Sequence, residues 1–262
     1  MKLSISNIGW AEENDAAVYS MMKNHGFMGL EIAPTRIFHE QPYSKLHEAK
    51  SWVEKLKSEY GFVVPSMQSI WYGKSEKLFG TAEERDTLVS YTKKAIDFAE
   101  AVGCKNLVFG CPRNRSMPNG ADENIAISFF KEIGDYAAEH TTIVGMEANP
   151  PIYNTNYIND TASALELIEK VDSTGFKLNL DVGTMIENNE ELSVLFGKEH
   201  LINHVHISEP RLKPIENHLI HKKLCEVLKT TGYEGFVSIE VGKQENLNEL
   251  EMMMKYVEEI FG

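Results

Sequence analysis

Short β-branched and aromatic runs alternate with amphipathic helical stretches along this chain, and few folds accommodate that alternation. The runs are KLSISNI from Lys2, MGLEIA from Met28, FVVPSM from Phe62, KNLVFG from Lys105, TIVGMEA from Thr142, FKLNLD from Phe176, INHVHIS from Ile202 and FVSIEV from Phe236. Between them, SKLHEAKSWVEKLKSEYG sets Leu46, Ala49, Val53 and Leu56 on one stripe. AEERDTLVSYTKKAIDFAEAVG does the same with Leu88, Tyr91, Ala95, Phe98 and Val102, and LEMMMKYVEEIF reads as the buried stripe of a last helix. Glycine follows several helical stretches, in HGFMGL, EYGFVV, AVGCKN, STGFKL and TGYEGF, where a helix C-cap is expected before the next strand. Eight strand–helix units without a composition break predict an α/β fold, a (β/α)8 barrel, as a single domain over residues 1–262. A doubly wound sheet is the alternative, but no glycine-rich fingerprint follows the first strand.

A length of 262 residues, 42% of them hydrophobic, suits one such barrel with a sizeable core. Acidic residues outnumber basic ones 39 to 26, a net charge of −13 that repels polyanions, and no basic cluster offsets it. Nucleic acid is therefore not an expected partner. Cys104, Cys111 and Cys225 are scattered and form no C-x-x-C pair, which argues against a disulfide framework or a thiolate zinc site. MKLSISNIGW opens like a first barrel strand rather than a signal peptide, and no apolar run is long enough to span a membrane. A cytoplasmic protein without membrane contact is expected.

Four of the runs end on a group that can hold a metal: Glu147 in IVGMEANP, Asp181 in FKLNLDVG, His206 in INHVHISE and Glu240 in FVSIEVG. They lie 34, 25 and 34 residues apart, about one strand-plus-helix unit each. Strand side chains alternate between two faces, so Gly145 and Glu147, Asn179 and Asp181, His204 and His206, and Ser238 and Glu240 share one face. Val144 and Met146, Leu178 and Leu180, Val205 and Ile207, and Val237 and Ile239 form the other, wholly apolar face. Three carboxylates aimed into one space are costly to bury unless a cation compensates them. Three oxygen donors and one imidazole suit Mn²⁺, Mg²⁺ or Co²⁺, and Zn²⁺ also fits.

On these residues the chain resembles the xylose isomerase-like TIM barrels, a superfamily of sugar isomerases, ketose 3-epimerases and endonuclease-IV-like enzymes. The resemblance runs the whole length and is sharpest from Gly145 to Val241. In the ketose 3-epimerase-like branch a Glu, an Asp, a His and a Glu after strands five to eight hold one divalent cation, matched here by Glu147, Asp181, His206 and Glu240. The two glutamates of that branch also act as acid and base on opposite faces of the substrate, which implies catalytic roles for Glu147 and Glu240. Two positions depart from the pattern. Thr184 stands where a His usually follows the Asp by three residues, and Glu209 and Arg211 in HISEPR only approximate the usual acid and Arg. The absent His, with the negative charge, counts against an endonuclease-IV-like trinuclear zinc site.

Further candidates for substrate contact are Thr184, as a hydrogen-bond donor to a sugar hydroxyl, and Glu31 and Gln68, on the inward parity of strands two and three, with a buried hydrogen-bonded polar residue as the equal alternative for the latter two. Trp10, Trp71 and Tyr72 follow strands, where aromatic faces can pack sugar rings, but ordinary loop packing is the expected role and the sugar contact the alternative. Arg113, Arg115, Arg211 and Lys243 are candidates to bind a phosphate or carboxylate, with surface solvation as the alternative. His204 reads as a hydrogen bonder of the barrel core, and His218 and His221 as polar residues at a helix start. The resemblance implies a divalent-metal-dependent isomerase or epimerase acting on a small sugar or sugar phosphate by proton transfer through an enediolate. A dehydratase acting on an oxidised polyol of the inosose type and a non-catalytic binding barrel are the alternatives, and a homo-oligomer is left open.

Overall fold

The computed structural model describes residues 1–262. Seven parallel strands form one sheet: β1 (Lys2–Ser6), β2 (Phe27–Glu31), β3 (Leu107–Phe109), β4 (Val144–Met146), β5 (Phe176–Asp181), β6 (Ile202–Ile207) and β7 (Phe236–Ile239), in the order β2-β1-β7-β6-β5-β4-β3. The expected strand from Phe62 to Met67 is not a regular strand, yet it joins the two sheet edges. Val63 O and Ser66 O accept the N–H groups of Leu30 and Ile32, and Met67 exchanges backbone hydrogen bonds with Asn106 and Val108. Pro65 interrupts the ladder because it has no N–H to donate, and its carbonyl accepts the Lys105 N–H instead. This segment is the eighth stave, and the barrel closes.

The outer layer contains α1 (Asp15–Asn24), α2 (Pro34–Ile37), α3 (Leu46–Tyr60), α4 (Ala82–Val102), α5 (Asn124–Glu139), α6 (Thr161–Val171), α7 (Val182–Asn188), α8 (Leu219–Thr230) and α9 (Leu247–Phe261). The apolar strand parity faces this layer: Val144, Met146, Leu178, Leu180, Val205, Ile207, Val237 and Ile239 are all buried. The expected helix stripes follow suit in part. Leu88, Ala95, Phe98 and Val102 are buried on α4, and Ala49 and Leu56 on α3, while Leu46 is exposed and Val53 half-buried. Gly61 and Gly103 cap α3 and α4 in the left-handed conformation, but Asp172, not a glycine, does so for α6. No helix is long and apolar enough to cross a membrane.

The inside of the barrel is polar and built from small residues. Ser4, Ser66, Asn106, Asn179, His204 and Ser238 are buried there, where branched aliphatic residues usually dominate. Asn106 donates to Ser66 Oγ at 3.0 Å and to Asn179 Oδ1 at 3.1 Å, and Asn179 donates in turn to Glu147 Oε1 at 2.8 Å. A hydrogen-bonded column thus rises along the barrel axis to the carboxylates at its C-terminal end. Glycine makes room at its base. A Cβ on Gly29 would lie 2.7 Å from Phe236 and Ser4 and 2.8 Å from Pro65. Gly29→Ala is therefore expected to cost roughly 1–3 kcal/mol, seen as a lower urea midpoint; an unchanged midpoint would mean that Phe236 and Pro65 yield freely.

Between α8 and α9, His221 is fully buried with Nδ1 at 2.9 Å from the Tyr256 hydroxyl. Burial, reinforced by neighbouring His218, pushes its pKa down to about 4. A base held below its unfolded value of about 6.5 contributes stability in full above that pH and loses it as the pH falls towards the folded value. Unfolding free energy is expected to fall between pH 6.5 and 4, by up to about 3 kcal/mol from this group. Urea titrations of wild type and His221→Phe check it: the variant should show the shallower pH slope, and equal slopes would sink the assignment.

Candidate functional site

The four strand-end residues converge at the C-terminal mouth of the barrel. Asp181 closes β5, His206 lies one residue before the end of β6, and Glu147 and Glu240 directly follow β4 and β7. One ligand atom from each lies within 4.8 Å of the other three. His206 Nδ1 is 3.0 Å from Glu147 Oε1 and 3.4 Å from Glu240 Oε2. Glu147, His206 and Glu240 are buried and Asp181 is half-buried. Burial pushes the pKa of Glu147 up, aided by Glu240, and that of Asp181 up, aided by Glu147. Burial also disfavours charge on His206, but Glu31, Glu240 and Glu147 outweigh it and hold the imidazole well above its ordinary pKa. Carboxylates driven towards the proton and an imidazole held as a cation mark a site short of positive charge. A divalent cation fits that deficit and the donor set of three carboxylates and one imidazole.

Neighbouring groups aim these side chains. Asp181 caps the N-terminus of α7: Oδ2 accepts the Thr184 N–H at 2.8 Å and lies 2.7 Å from Thr184 Oγ1, while Oδ1 accepts the Ser208 hydroxyl. Glu147 is held by Asn179 and, at 3.3 Å, by Asn149 Nδ2. Asn149 is oriented by Arg115, which is fully buried. The Arg115 guanidinium donates to Asn149 Oδ1 at 3.1 Å and to the Glu147 carbonyl at 2.8 Å, and burial pushes its pKa down to about 10.

A cleft of about 430 Å³ opens beside the carboxylates, lined by Gln68, Trp71, Tyr72, Gly110, Arg113, Asn149, Glu147 and Glu240 among others. The residues expected to contact substrate differ in their surroundings. Thr184 is buried, and its hydroxyl lies within hydrogen-bond distance of Asp181 and the Ala148 carbonyl. Glu31 is fully enclosed beneath the four residues, with Oε2 3.0 Å from His204 Nε2 and 2.9 Å from His206 Nε2. Trp71 lines the cleft wall but is 3% exposed; it donates to Thr92 and packs edge-on against Phe109 and Phe129, as core aromatics do. Trp10 is likewise buried and bonded to Asp15. Gln68 borders the cleft with its amide committed to Ser6 and Glu31. Arg113 lines the cleft from an exposed position, with no carboxylate within ion-pair distance. Arg211 is exposed in a left-handed conformation, its N–H bonded to the Tyr153 hydroxyl at 2.7 Å.

A family model described as a xylose isomerase-like TIM barrel matches residues 20–258. The chain belongs to that family. Among solved structures, the 3-keto-D-glucoside 4-epimerase of E. coli is similar at 21% identity and a TM-score of 0.78, with 98% of each chain covered. A D-psicose 3-epimerase from Clostridium cellulolyticum H10 shows 15% identity and a TM-score of 0.79, covering 100% of this chain and 99% of its own. An AP endonuclease of family 2 from Brucella melitensis shows 18% identity and a TM-score of 0.74, covering 96% and 97%. At these identities the likeness establishes the fold. No curated protein matches the sequence.

Within this xylose isomerase-like barrel, sequence reasoning passed over Asn149, Asn179, Ser208 and the orienting part of Arg115. Asn179 carried a usable signal, since it shares the inward parity of Asp181 two residues on. Asn149, Ser208 and Arg115 lie outside the strands, where parity says nothing.

Proposed function

We propose that this protein is a metal-dependent isomerase or epimerase of a small sugar or sugar derivative, working by proton transfer next to a carbonyl. The observation that carries the reading is the pair Glu147 and Glu240, both buried, both facing His206 Nδ1 and both bordering the same cleft. One carboxylate removes the proton and the other returns one from the opposite side, which inverts or relocates the stereocentre. Burial raises the proton affinity of Glu147, which suits a carboxylate that takes up and returns a proton. Asn179 and Asn149 fix its two oxygens, and Arg115 holds its backbone. Glu147, Asp181, His206 and Glu240 would hold a divalent cation, which would supply positive charge beside the substrate's carbonyl oxygen. Arg113, without a carboxylate partner in the cleft wall, contacts the substrate's oxygens.

The sugar epimerases among the structural neighbours support sugars as the substrate class. Incubation of purified protein and Mn²⁺ with a panel of ketoses and keto-glycosides in D₂O tests the reading. Deuterium at the carbon next to the carbonyl in an epimerised or isomerised product is expected. Transfer of hydrogen without exchange, or release of water from an unsaturated product, would overturn it.

A further inference from the structure

We propose that Glu31 is a positioning residue for His206, setting both the tautomer and the orientation of the imidazole that faces the candidate cation; this rests on the metal-site reading above. Glu31 ends β2, paired in register with Ser6 of β1, and has no solvent exposure. Its Oε2 lies 2.9 Å from His206 Nε2. An unprotonated ring nitrogen at that distance would oppose its lone pair to a carboxylate oxygen, so Nε2 bears a proton and donates it. Nδ1, turned towards Glu147 and Glu240 at 3.0 and 3.4 Å, is protonated by the same rule until a cation displaces that proton, and it is the nitrogen left to face the cation. A carboxylate behind a ligating imidazole fixes the ring in this way and raises its basicity as a donor.

Glu31 is itself held from two sides. His204 Nε2 sits 3.0 Å from the same oxygen, and Gln68 Nε2 donates to Oε1 at 3.1 Å while also donating to Ser6 Oγ at 2.7 Å. The carboxylate therefore cannot rotate away without leaving buried donors unpaired. His204 and Gln68 thus act on the site only through Glu31. Their place in the barrel, like the enclosure of Glu31, is that of a support beneath the four candidate ligands rather than a contact to substrate.

The test compares wild type with Glu31→Gln, which keeps the shape but replaces one oxygen by an amide that cannot accept an imidazole proton. Mn²⁺ affinity by titration calorimetry is expected to fall roughly 10- to 100-fold. In Zn²⁺-loaded protein carrying ¹⁵N-labelled histidine, His206 is expected as a single Nε2–H species in wild type and as a mixture in the variant. Melting of the metal-free variant reports folding separately. Equal Mn²⁺ affinity and a single His206 species in both proteins would overturn the role of Glu31. Should the variant not fold, Glu31→Asp, which withdraws the oxygen by one methylene, carries the same two readouts. A wild type that binds neither Mn²⁺ nor Zn²⁺ would instead defeat the metal-site reading on which the inference stands.

Discussion

Glu147→Gln and Glu240→Gln are each expected to lower turnover by roughly 10²–10⁴-fold while leaving the barrel folded. Glutamine keeps an oxygen that can face a cation, but it neither accepts nor returns a proton. The two variants should also differ from each other in a way that simple loss of metal does not produce. With acid and base on opposite faces of the substrate, each variant retains the carboxylate that serves one face only. Glu147→Gln should still wash solvent deuterium into one epimer, and Glu240→Gln into the other, although neither completes the inversion. Mass spectrometry of recovered substrate, with metal content measured on the same samples, reads both effects. Loss of exchange from both epimers in both variants at full metal occupancy would sink the two-carboxylate mechanism. The structure bears on the relative strengths of the two groups. Burial raises the proton affinity of Glu147, and two asparagines pin its oxygens, whereas Glu240 faces His206 Nδ1 at 3.4 Å.

The convergence of these residues was legible in the sequence because strand parity is a strict rule. Placing Glu147, Asp181, His206 and Glu240 on the parity opposite the Val, Leu and Ile positions leaves them only the barrel axis to face. The same rule placed Glu31 and Gln68 inward, but parity carries no depth. Glu31 is fully enclosed with its carboxylate turned to His204 and His206, so it meets the imidazoles rather than the cleft. Thr184 has a local role that parity does not reveal. A threonine three residues after an aspartate at a strand-to-helix junction is a capping pair, and its hydroxyl is used locally before any ligand is considered. Trp71 and Trp10 show the limit of composition: a tryptophan in a loop buries its ring wherever the core offers space. The stave from Phe62 to Met67 was legible as a strand, yet Pro65 reduced it to isolated bridges.

Removal of divalent cations is expected to abolish activity and to lower the melting temperature, and the second effect is the more diagnostic. A ligand that binds only the folded state stabilises it by about 2.7 kcal/mol at a concentration 100 times its Kd. For a chain of this size each kcal/mol corresponds to roughly 2–4 °C, so saturating Mn²⁺ should raise the melting point of chelated protein by about 5–10 °C. The direction follows from the site. Glu147 and Asp181 are driven towards protonation by burial and by like charge, and His206 is held as a cation, so the metal-free site retains its own counter-charge only by keeping protons. Binding a cation must expel those protons, and the shift should therefore be larger at pH 8 than at pH 6. Differential scanning calorimetry after chelation, followed by readdition of Mn²⁺, Co²⁺, Mg²⁺ or Zn²⁺, measures it. Asp181→Asn supplies the control: it removes one candidate ligand at the half-buried edge of the set and should shrink the Mn²⁺-dependent shift. A melting point indifferent to chelation in wild type, at either pH, would leave the three carboxylates without the cation that their clustering demands.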